Sequence, residues 1–197
     1  MINPRDTPCL IELSGSTTVG TCPQATITRS YDTEAAVRAF ARTALAEIGA
    51  TPELDPVELC RRLSIYRGRP IQISATRMPC SSLLGFCVKT ATCDYIVHPD
   101  DVTGLQRDHG IRHEAGHILL DHRGPATPEH TELLRKVLPN LDPADVITYL
   151  GRTGHYVGVE WEAETFAHLL TEAAVHAEHQ DQAGHFETGL ACRRAGL

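Results

Sequence analysis

Ile111-Arg112-His113-Glu114-Ala115-Gly116-His117-Ile118-Leu119-Leu120-Asp121-His122 is the stretch on which the reading of this chain turns. On a helix, residues four apart lie one above the other, so His113 and His117 turn their imidazoles the same way and can converge on one metal ion. Glu114 sits about 100° further around the axis. From there its carboxylate can reach a metal-bound water without being a ligand, which is the position of a general base. Ile111, Ala115, Ile118 and Leu119 recur at spacings of three and four on the other side and are expected to pack on a core. With 11 histidines in 197 residues the motif could arise by chance, so the surrounding pattern and a third ligand must carry the argument.

A catalytic zinc takes three protein ligands and leaves a position for water. Asp121 continues the His113–His117 stripe but lies a full turn beyond the metal, and His122 is expected to point away from the stripe. The ligand therefore has to come from another segment. The best source is a helix expected over 159–179, with Val159, Ala163, Phe166, Ala167, Leu170 and Ala174 on its apolar side. Glu160 and Glu164 share its opposite face, while Glu162 projects roughly 160° away from them. Glu160 is the candidate ligand. Glu164, one turn later, is placed either to hydrogen-bond the outer nitrogen of a ligating histidine or simply to sit, solvated, near the positive end of the helix dipole.

Between the motif helix, expected over 103–122, and this one, prolines at 125, 128, 139 and 143 cut the chain into short pieces. Helices are expected over 131–138 and 143–150, then a glycine-rich turn around His155-Tyr156. Upstream, 70–74 alternates, 83–88 is apolar and 94–98 is β-branched and aromatic, which predicts three strands with Ala91-Thr92 turning the last two into a hairpin. Two amphipathic helices precede them, one over 32–48 ending at Gly49 and one from Asp55-Pro56 to just before Gly68. The expectation is an α+β domain over 31–179, a small sheet of about three strands packed with helices. Residues 1–30 form a loosely ordered arm and 180–197 a flexible tail.

Composition narrows the function. Hydrophobic residues at 42% and charged residues at 22% are usual for a globular protein. A net charge of −7 without any lysine/arginine cluster disfavours direct nucleic-acid binding. No apolar run approaches the roughly 20 residues needed to cross a bilayer. Met1-Ile2-Asn3-Pro4-Arg5-Asp6 lacks an apolar run behind a basic start, so a cytoplasmic location is expected. The seven cysteines are odd in number and contain no Cys-x-x-Cys, which points to reduced thiols in preference to a disulfide framework or a zinc ribbon.

The run from His113 to Leu120, followed by Glu160-x-x-Ala163-x-x-Phe166-Ala167-x-Leu169-Leu170, resembles the ImmA/IrrE family of metallo-endopeptidases. Asp55-Pro56-Val57-Glu58-Leu59, Gly85-Phe86 and Tyr95-Ile96-Val97 resemble that family's first helix and its hairpin, and the likeness spans roughly residues 30 to 172. The resemblance implies that His113, His117 and Glu160 hold Zn2+ and that Glu114 is the catalytic base. It also implies a narrow substrate, a DNA-binding helix-turn-helix repressor, cleaved at a peptide bond. His155 or Tyr156 is a candidate to stabilise the oxyanion. Two other readings stay open: a non-catalytic zinc-containing module that binds a repressor or toxin, and an esterase or amidase using the same centre on a small molecule.

Overall fold

The computed structural model describes residues 31–79, 85–151 and 157–194, with side chains described as far as residue 180. Two capped helices lead into the sheet. In α1 (Glu34–Glu47) the Thr33 hydroxyl accepts from the Ala36 N–H. In α2 (Pro56–Arg67) the Asp55 carboxylate accepts from Val57 and Glu58, Pro56 occupies the first turn, and Gly68 closes the helix in the left-handed conformation.

Four strands follow the order β1-β3-β2-β4. β1 (Ile71–Thr76) runs parallel to β3 (Asp94–Pro99), while β2 (Phe86–Thr90) is antiparallel to both β3 and β4 (Val146–Gly151). The β2–β3 hairpin turns through Ala91-Thr92, where the Thr90 hydroxyl donates to the Cys93 carbonyl at 2.7 Å and accepts from the Cys93 N–H at 3.0 Å. β2 is buried along its whole length because both faces of the sheet are covered. Cys87 and Ile96 face the core shared with α1, α2, the motif helix α3 (Gly104–Leu119) and α5 (Val157–Arg194). Phe86, Val88 and Val97 face a smaller core with Tyr149, Leu134 and Leu138, the side covered by α4 (Pro128–Val137).

Three expectations change. Among the described residues the sheet has four strands, where about three were expected. The segment expected as a helix over 143–150 keeps only a 3-10 turn at Pro143–Asp145, where Asp142 accepts from the Ala144 N–H, and then becomes β4. Val146-Ile147-Thr148-Tyr149 is β-branched and aromatic, and pairing with β2 outweighs the helix-start signal of Asp-Pro. The break expected at Gln180 is absent: α5 continues to Arg194. The expectations for 1–30 and the turn at His155-Tyr156 lie outside the described residues. Among the described residues, no helix is long and apolar enough to cross a membrane.

The site depends on how closely α3 and α5 approach. A Cβ at Gly116 would lie 3.0 Å from a Phe166 ring carbon and 3.4 Å from the Ala163 Cα. Gly116 and Ala163 therefore let the backbones meet, and Phe166, buried at 1% exposure, fills the space beside them. This contact lays the first turns of α5 across the histidine face of α3.

Candidate metal centre

Ile111, Ala115 and Ile118 are buried in the main core, so the opposite side of α3 is fixed in direction. His113 and His117 project from it, with their Nε2 atoms 3.1 Å apart. Glu160 reaches them from α5, its Oε2 3.4 Å from His113 Nε2 and its Oε1 3.5 Å from His117 Nε2. Taken one atom per residue, the three donors all lie within 4.8 Å of one another and could hold a metal ion. A tetrahedral ion about 2.0–2.1 Å from each donor requires donor–donor edges of about 3.3–3.4 Å. The 3.1 Å between the two imidazole nitrogens and the 3.4 Å and 3.5 Å from each of them to one or other Glu160 oxygen are close to that requirement. Two imidazole nitrogens and a carboxylate turned on one point also need a cation or protons between them to offset lone-pair repulsion, so the donor set fits a divalent ion chemically as well as geometrically.

Each imidazole is held at its other nitrogen. His113 Nδ1 lies 3.1 Å from Glu164 Oε2, and the second oxygen of Glu164 lies 3.2 Å from His109 Nε2, one turn earlier on α3. Of the two possibilities for Glu164, the structure has the contact to the histidine. Burial opposes protonation of His113, but hydrogen bonds to Glu160 and Glu164 outweigh it and raise the ring to about 9. The His113 hydrogen bond in turn holds Glu164 down at about 2.

His117 is held differently. Its Nδ1 lies 2.9 Å from Nδ1 of His122, whose Nε2 lies 3.1 Å from Glu162 Oε2; the other Glu162 oxygen accepts from the Tyr31 N–H at 2.7 Å. Both His122 and Glu162 were expected to point elsewhere. His122 returns because α3 ends in a Schellman turn: the His122 N–H donates to the His117 carbonyl at 3.0 Å, Asp121 N–H donates to Ile118, and Asp121 takes φ +52. The usable signal was Asp at that position, since Asp tolerates the left-handed region better than most residues. Glu162 is inside because α5 is covered on more than one side, by α1 as well as α3, so leaving the metal-facing stripe does not bring a side chain to water. Lys89, buried on β2, donates to the carbonyls of His117 at 3.2 Å and His122 at 2.9 Å and pins this reversal to the sheet. Burial holds His122 below its ordinary pKa despite Glu162.

Glu114 is buried at 5% exposure and forms, with His113, Gly85, Val102, Gln106, His109 and Gly110, the wall of an open cleft. Gly85 has φ +152, and a Cβ there would lie 3.1 Å from the Val97 carbonyl and 3.3 Å from Glu114 Oε1, so only glycine leaves the carboxylate its place. Comparison of the chain with models of protein families, with curated proteins and with solved structures gives no match.

Proposed function

We propose that the chain is a zinc-dependent endopeptidase of the ImmA/IrrE kind, acting in the cytoplasm on one protein partner, a helix-turn-helix repressor. The observation that carries the reading is the triangle His113–His117–Glu160 with Glu114 beside it in a cleft. Two imidazole nitrogens and one carboxylate turned on a common point suit zinc, with His113, His117 and Glu160 holding it. When bound, zinc supplies Lewis-acid chemistry, making water acidic enough to react near pH 7 and polarising a carbonyl. Glu114 faces the cleft as the proton acceptor for attacking water and can hand that proton to the leaving amine. The repressor as substrate rests on the family resemblance of the two motif segments.

The test is Glu114→Gln with zinc content measured in parallel. Cleavage of co-purified or added repressor, followed by mass spectrometry, is expected to fall at least about 100-fold while one zinc per chain is retained. Undiminished cleavage would remove Glu114 from the mechanism. The deep burial of His117, at 1% exposure, favours a second reading, a zinc-stabilised binding module. That reading requires that the wild type bind its partner without cutting it.

A further inference from the structure

With Glu162 as a carboxylate and His122 as a neutral ring, the contacts behind His117 assign the protons. Glu162 accepts from the Tyr31 N–H through Oε1, and as a carboxylate it also accepts at Oε2, so His122 must donate from Nε2. A neutral His122 then has a bare Nδ1. Across the 2.9 Å contact to His117 Nδ1 only the His117 ring can be the donor. With its proton on Nδ1, His117 has its lone pair on Nε2, the atom 3.1 Å from His113 Nε2 and 3.5 Å from Glu160 Oε1. The sequence of donors runs one way, from the metal triangle to a carboxylate buried at 2% exposure. Lys89 holds the backbone carbonyls of both histidines in place, and swinging either ring would break the buried contact between them.

We infer that His122 and Glu162 are positioning residues for His117, forming a carboxylate–imidazole–imidazole relay that fixes its tautomer and aims its Nε2 lone pair at the centre of the donor triangle. This rests on the metal-centre reading. A ligating histidine commonly gives its outer N–H to a carboxylate or carbonyl. Here a second histidine extends that bond by one ring and places the charge in the core, beside the Tyr31 backbone. The relay makes metal affinity depend on a residue, Glu162, whose carboxylate is separated from the triangle by two rings.

Zinc affinity of the full-length chain, measured by competition with a chromophoric chelator, tests the relay. His122→Phe and Glu162→Gln are each expected to weaken zinc binding by about 10- to 100-fold, with the helical circular dichroism of the zinc-free chain unchanged. In the zinc-loaded wild type, nitrogen-15 shifts of the rings should show His117 protonated on Nδ1 and His122 on Nε2 alone. That spectrum decides the matter if either variant fails to fold. Affinity within twofold of wild type in both variants, or a proton on His122 Nδ1, overturns the relay while leaving the metal centre standing. A wild type that takes up no zinc overturns the metal centre itself, and the relay with it.

Discussion

His113 leans on a carboxylate that water reaches, whereas His117 leans on a ring and a carboxylate that water does not: the Glu164 side chain is 46% exposed, against 1% for His122 and 2% for Glu162. The outer hold is local. Glu164 stands one turn after Glu160 on α5, and its pairing with His109 and His113 follows from two helices lying side by side. The inner hold is assembled from the Schellman turn after α3, the buried Lys89 of β2, the second face of α5 and the backbone of Tyr31. A buried carboxylate is tolerated only when its oxygens are paired, and both oxygens of Glu162 are. The same task, fixing one imidazole, is therefore part of the core on one side and part of the cleft on the other.

The largest effect should come from the contact that both holds share. Phe166→Ala empties the space beside Gly116 and Ala163, where α5 is set against α3. A loss of about 3–5 kcal/mol is expected in urea denaturation of the zinc-free chain, with zinc binding weakened as well because Glu160, Glu162 and Glu164 all ride on α5. Zinc affinity unchanged in a destabilised Phe166→Ala would mean that the triangle does not depend on this packing. Next comes the inner hold alone. Glu162→Ala leaves the Tyr31 N–H and the His122 Nε2–H without their acceptor and should cost about 1–3 kcal/mol in the same measurement. A neutral result there would place Glu162 outside the core's hydrogen bonding.

The sequence makes the outer side of this comparison legible and hides the inner one. Helical spacing alone aligns His113 with His117, and Glu160 with Glu164, because each pair lies within one straight helix. The hairpin of β2 and β3 is readable from an apolar run and a β-branched, aromatic run about a two-residue turn. His122 and Glu162 are not, and for related reasons. Angle about a helix axis puts both outside the site, a criterion that fails where the helix reverses in a left-handed residue and where it is covered on two sides. β4 was hidden by Asp142-Pro143, a true local signal that was spent on a three-residue turn. Local rules thus found what one helix could present, and missed what needed a non-glycine cap or a partner strand some 60 residues away.

The smallest effect separates the two holds by solvent. Glu164→Ala should change the stability of the zinc-free chain by no more than about 1 kcal/mol at low salt, the usual ceiling for a pairing that water reaches. At about 1 M salt, where charges are screened within about 3 Å, that difference should shrink toward zero. The Glu162→Ala difference should persist, because ions cannot enter between Glu162 and His122 to screen them. Thermal melts of wild type and both variants at the two salt concentrations check this directly. If the two differences fall together with salt, the inner carboxylate is reached by solvent and the contrast between the holds disappears; if neither falls, Glu164 acts through packing or a neutral hydrogen bond, and the outer hold is as much a part of the core as the inner one.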